Sequence, residues 1–397
     1  TGAVSTISNN TVAAVSLTGV TSSGTSTSSP FIGIFFQEGN GVTNNNTIGS
    51  QSATGSLTFS TTTTSSTDVY GIYNFSSNAW TSNNNNVGGI SVTNLGASGT
   101  FLVYGMRAFT GSTTTWTAGS NNIGGTVANS IQLAGTGTLS QVVGMFTSNA
   151  PTVLTSNTIR NLTTNIGTGT TSSASVIGIN LTSSTPNQTL SQNTIHSLTN
   201  TNTTAASIVT GIQFTGGTAN VVERNFIYGL TSATNSATAE INGIRVAGGT
   251  TTYRNNMIAL GANQAVSIGS AASNSGTTGI NGFNGALGTD SFLHNSIYIG
   301  GSATSGAGAS YAFNGTQTVN TRSFRDNIFY NARSNSGATG SNYAVKINGT
   351  TANPTGLTIN NNLYFVNGTG GVFGYFNGLD VPDINTWRTN VGQDVGS

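Results

Sequence analysis

Apolar residues along this chain alternate with small or polar ones, and the alternation itself returns every 31 to 39 residues. Its clearest phrase is Asn193-Thr194-Ile195-His196-Ser197-Leu198. The phrase reads Asn157-Thr158-Ile159-Arg160-Asn161-Leu162 upstream and Asn225-Phe226-Ile227-Tyr228-Gly229-Leu230 downstream. Aligning every copy on its asparagine gives Asn10, Asn46, Asn85, Asn121, Asn157, Asn193, Asn225, Asn256, Asn295, Asn327 and Asn361. The residue two after each anchor is apolar in all copies, from Val12 and Ile48 to Phe329 and Leu363. Alternation of this kind marks a half-buried strand, and a fixed period of such strands marks a solenoid. Two-residue hairpin signals are missing between the strands, which favours parallel stacking, coil upon coil.

A second phrase, glycine followed by an apolar residue, sits between the anchors. It appears as Gly33-Ile34, Gly71-Ile72, Gly105-Met106, Gly144-Met145, Gly178-Ile179, Gly211-Ile212, Gly243-Ile244 and Gly279-Ile280, with Ala312-Phe313 and Ala344-Val345 in the last copies. This glycine predicts a bend or a close backbone approach. Length variation collects in Ser/Thr/Gly-rich inserts such as 61–66 and 168–173, which can bulge outward without disturbing the stack. The anchor asparagines predict a corner ladder, because Asn tolerates the left-handed conformation and its amides bond from rung to rung. Eleven anchors predict about eleven coils, a rod about 50 Å long at about 4.8 Å per rung.

The chain so read, all-β and built as a single-stranded right-handed parallel β-helix over residues 1–397, resembles the pectin-lyase-like superfamily. The tail adds to this. Gly371-Val372-Phe373-Gly374-Tyr375-Phe376-Asn377-Gly378, then Asp383-Ile384-Asn385-Thr386-Trp387-Arg388 and Gly392-Gln393-Asp394, is similar to the closing coils of large type IX-secreted bacterial surface proteins. The resemblance implies an extracellular or cell-surface module and a chain that is a piece of something longer. Residues 372–397 form the terminal coil and a short helix over 380–391. In that helix Asp380 is the expected cap, Pro382 lies in the first turn, Ile384 and Trp387 share a face, and Gly392 is the stop.

Composition narrows the partners. Charged residues are only 5% of the chain and net charge is +1, so nothing attracts nucleic acid or an anionic membrane. No stretch approaches the roughly 20 apolar residues of a membrane span. Cysteine is absent and there are two histidines, so no thiol nucleophile, disulfide or metal site is expected, and no cofactor.

Stacking turns sequence positions into surface rows. Two after the glycine come Phe35, Tyr73, Arg107, Phe146, Asn180, Gln213, Arg245, Asn281, Asn314 and Lys346, a row without a carboxylate. Sugar-cleaving β-helices need a general acid and base, so no catalytic residue is assigned; a polysaccharide lyase or hydrolase is the alternative function. Before the anchors, Glu223 with Arg254 and His294 with Asp326 are expected as ion pairs on adjacent rungs. Three after the anchors lie Arg160, His196, Tyr228, Ala259, Tyr298, Tyr330 and Tyr364, flanked on the same face by Phe226, Met257, Ser296 and Ile328. Upstream these positions are small or polar. Tyr228, Tyr298, Tyr330, Tyr364, Phe226 and Ile328 are therefore the candidate binding residues, for a glycan or for neighbouring copies of the chain.

Overall fold

With side chains alternating in and out, one coil buries its apolar residues only by bending around them and stacking on its neighbours. The computed structural model shows this, and it describes residues 4–96, 99–109, 114–136, 139–148, 150–167, 175–234, 236, 238–261, 279–285 and 287–397. The insert at 168–173 lies outside the described residues. Each coil contributes strands to three parallel sheets. Sheet I runs from Ser5–Ser8 to Leu357–Asn360 and sheet II from Thr11–Val12 to Leu363–Val366, each with eleven rungs along its main path. Sheet III runs from Phe31–Phe36 to Gly371–Phe376 and ends in an antiparallel strand, Leu379–Val381. The fold is an all-β parallel solenoid of about nine turns, slightly fewer than the eleven coils expected.

The core is a set of columns. Ile123, Ile159, Ile195, Ile227, Ile258 and Ile297 occupy successive rungs of sheet II and are all buried. Each such side chain contributes about 1.5–3 kcal/mol by leaving water. The glycine of sheet III faces this column. A Cβ on Gly211 would lie 2.6 Å from Ile227 Cγ2 and 2.6 Å from the Gly243 carbonyl oxygen, so the close approach predicted for this glycine is real. In one copy the expected register is wrong. Ile244 pairs with Phe283, so Gly282-Phe283, not Gly279-Ile280, is the repeat phrase there. Asn284 replaces Asn281 in the outward row.

The corner asparagines form a continuous buried ladder. From Asn46 to Asn327, the backbone N–H and the side-chain Nδ2 both donate to Oδ1 of the next asparagine, as from Asn157 to Asn193 at 3.0 and 3.0 Å. The second Nδ2 hydrogen goes to a carbonyl of the preceding coil, Leu154 O in the case of Asn193 at 3.0 Å. Every polar atom of these side chains is thereby used, which is what permits their complete burial. Two expectations are corrected here. The left-handed residue is not the anchor but the one before it, such as Gln192, Arg224, Asn255 and His294, with φ of 59°, 53°, 53° and 54°. The last ladder member is Asn362, not Asn361, because Asn327 donates to Asn362 Oδ1 while Asn361 takes the left-handed position at φ 57°.

The C-terminal end is closed. The helix spans Ile384–Val391, capped by Asp383, whose side chain accepts from Thr386 N, and stopped by left-handed Gly392. Asp380 is not the cap: it sits in the last strand and accepts from Tyr343 Oη at 2.8 Å. Trp387 is fully buried against Phe373, Phe376 and Tyr364, and its indole N–H donates to Asp394 Oδ2 at 2.9 Å. The ladder itself ends where Asn362 N donates to Ser397 Oγ at 2.7 Å, in place of a further asparagine.

Candidate functional site

Positions one and three after each corner asparagine point outward on sheet II. Register places Arg160, His196, Tyr228, Ala259, Tyr298, Tyr330 and Phe365 in one column. Phe226, Met257, Ser296, Ile328 and Leu363 form the column beside it. Five expected residues lie here: Tyr228, Tyr298, Tyr330, Phe226 and Ile328. Tyr364 does not. The corner at Asn362 moves its strand by one residue, and a one-residue slip exchanges the two faces. Tyr364 therefore pairs with inward Phe329, packs on Trp387 and donates to Asp394 Oδ2 at 2.5 Å. Burial raises its phenol pKa well above the ordinary value. Leu363, read from the sequence as the inward apolar residue of its copy, takes an outward place, as does Phe365.

The strip is exposed. Phe226, Met257, Tyr298, Ile328, Leu363 and Phe365 keep 38, 56, 36, 41, 58 and 50% of their surface in water. Its rings touch along the axis. His196 stacks on Tyr228 with centroids 4.7 Å apart, while Tyr298–Tyr330 and Tyr330–Phe365 meet edge to face at 5.2 and 4.9 Å. Burial and the neighbouring Arg160 charge lower the His196 pKa. Ala259 interrupts the ring column. The gap it leaves is a shallow apolar depression of about 150 Å³ walled by Phe226, Met257, Tyr298, Ile328 and Tyr330. By contrast, the outward column of sheet I carries hydroxyl and β-branched residues, among them Thr81, Thr117, Val153, Thr189, Val221 and Thr252.

Charged groups lie in several separate arrangements among the described residues. Arg254 Nε donates to Glu223 Oε2 at 2.6 Å, and His294 Nδ1 lies 3.9 Å from Asp326 Oδ2, both pairs at the surface as expected. On the outer face of sheet III, Tyr70 Oη donates to Asp68 Oδ2 at 2.5 Å, and Arg107 Nη1 reaches Tyr70 Oη at 2.7 Å. The guanidinium lies over the rings of Tyr70, Tyr73, Tyr104 and Phe146. Ser26 closes this cluster by donating its N–H to Asp68 and bonding Tyr73 Oη at 2.9 Å. Farther along, Glu240 accepts from Asn242 Nδ2 at 3.2 Å, and burial pushes its pKa up to about 7. These two acids escaped the row analysis because they stand three residues before the glycine, not two after it. Both are buried, and five rungs separate them, roughly 24 Å at the strand spacing.

Among the described residues no group of three or more His, Cys, Asp or Glu is placed to hold a metal ion. No described helix is long and apolar enough to cross a membrane. The fold defines a class, the parallel β-solenoid, here with an apolar outward strip on sheet II. No family model, no curated protein and no solved structure matches the chain.

Proposed function

We propose that this chain is a non-catalytic structural or adhesive β-helix module of an extracellular assembly, a rigid rod that presents the sheet II strip to its partner. The observation that carries the reading is the strip itself, where six exposed large apolar side chains, Phe226, Met257, Tyr298, Ile328, Leu363 and Phe365, lie contiguous on one sheet face. Patches of this kind mark contacts. Aliphatic Met257, Ile328 and Leu363 stand among the rings, and the edge-to-face pairs hide part of the ring faces a sugar would stack on. A neighbouring protein subunit therefore fits better than a glycan, which is the second reading, kept for the half-buried Tyr228 ring.

The absence of catalysis is supported by the acids. Paired carboxylates in glycoside hydrolysis stand about 5–10 Å apart in a groove, whereas Asp68 and Glu240 are buried and far from each other. The extracellular setting follows from the resemblance to pectin-lyase-like and type IX-secreted surface proteins and from a rod solvated by uncharged polar residues. The test is the double variant Tyr298→Ala with Tyr330→Ala, assayed for self-association and for retention on insoluble polysaccharides. Weakened binding with an unchanged circular dichroism spectrum is expected. Unchanged binding in both assays, or release of reducing or unsaturated sugar ends by the wild type, overturns the reading.

A further inference from the structure

The strip is complementary to itself, and we infer that its partner is a second copy of this chain, packed face to face with the rods antiparallel. This rests on the reading of the strip as a docking surface. Consider a two-fold axis parallel to the strands, passing between Ser296–Ile299 and Ile328–Asn331. Such an axis reverses the rod but keeps each position along a strand, so each outward column faces itself. The rung of Ala259 then meets the partner's rung of Phe365, three rungs apart in one chain, about 14 Å.

Two of the contacts pair a large residue with a small one. Phe365, half exposed, projects opposite the depression that Ala259 leaves in the ring column. Leu363 lies over Met257, Ile328 covers the small Ser296, and Tyr298 meets Tyr330. No charged side chain lies among these positions, so nothing need be desolvated without a partner. An isologous contact of this kind is closed and stops at two chains. It spans four rungs by two columns, well below the area of a standard specific interface, so the dimer is weak and concentration-dependent.

The experiment is sedimentation velocity on the full chain from low micromolar to near-millimolar concentration. Wild type is expected to pass from monomer to dimer. Phe365→Ala leaves the depression empty and Ala259→Phe fills it, and each is expected to raise the dimer Kd about tenfold or more. Combining both changes in one chain exchanges knob and hole, and dimerisation is expected to return. Equal mixing of the two single variants restores it in the same way, as a heterodimer. Circular dichroism melts of each variant separate lost contact from lost fold. A double variant as monomeric as the singles, single variants that dimerise like wild type, or a wild type that is monomeric throughout would each overturn the inference. In the last case, loss of polysaccharide retention in Tyr298→Ala/Tyr330→Ala would still leave the strip as a docking surface for another partner.

Discussion

Substituting Asn193 by alanine removes the middle of the corner ladder, and its cost is readable from the bonds. Asn193 Oδ1 accepts Asn157 N and Asn157 Nδ2, each at 3.0 Å, and its own Nδ2 donates to Asn225 Oδ1 at 2.9 Å and Leu154 O at 3.0 Å. The buried Asn157 N–H loses the only partner it has in this ladder. Asn157 Nδ2 keeps its bond to Ala118 O, and Asn225 Oδ1 keeps the Asn193 backbone N–H. One fully orphaned donor, and three groups that each lose one bond (Asn157 Nδ2, Asn225 Oδ1 and Leu154 O), at about 1–3 kcal/mol for a stranded buried group, give an expected loss of about 2–5 kcal/mol. Asn193→Asp is the sharper probe. A carboxylate keeps the acceptor but aims its second oxygen at two acceptors, so at neutral pH it costs more than alanine and partly recovers in acid. Asn10→Ala is the control, since Asn10 is exposed and receives no donor from a preceding rung; its cost is within about 0.5 kcal/mol. Urea denaturation measures the totals, and amide exchange at Asn157 reports the local bond. A loss below about 0.5 kcal/mol for Asn193→Ala, with Asn157 still protected, would refute the reasoning.

Two further outcomes follow from the interior. Burial raises the Asp290 pKa from 3.8 to about 7, with one oxygen lacking a partner, while Arg322 on the next rung turns to the carbonyls of Asn320 and Asn348. A raised carboxyl pKa means the native state holds the proton more tightly. The associated stability, up to about 4 kcal/mol, is full below about pH 4 and is lost as pH rises through about 7. Glu240 acts in the same direction. Urea midpoints should therefore fall over that window, less steeply in Asp290→Asn, and parallel curves would contradict the assignment. Trp387→Ala should cost about 3–5 kcal/mol by opening the terminal cap and should speed amide exchange in Leu357–Asn360 and Leu363–Val366 first; uniform exchange along the rod would show that Trp387 is not a local closure.

Period and alternation belong to the local sequence, so the coil, the parallel stack and the identity of Ile159, Ile195 and Ile227 as core were legible without coordinates. A strand has only two faces, and a repeated apolar residue declares which one is inward. The same arithmetic failed where the signal was doubled or shifted. Of the three consecutive asparagines Asn360, Asn361 and Asn362, the anchor pattern fits Asn361, two before Leu363, whereas rung-to-rung hydrogen bonding selects Asn362. That selection turns Tyr364 into the core and Phe365 out to solvent. Gly279 and Gly282 are ambiguous in the same way until Phe283 is seen beside Ile244 and Phe313. The Asp68–Tyr70–Arg107 cluster was beyond the sequence altogether, and the row Tyr228, Ala259, Tyr298 marked an interruption without showing the depression it leaves. Both join residues 30 or more positions apart, and whether a neighbouring side chain fills a space or leaves it open is decided only when the coils are stacked.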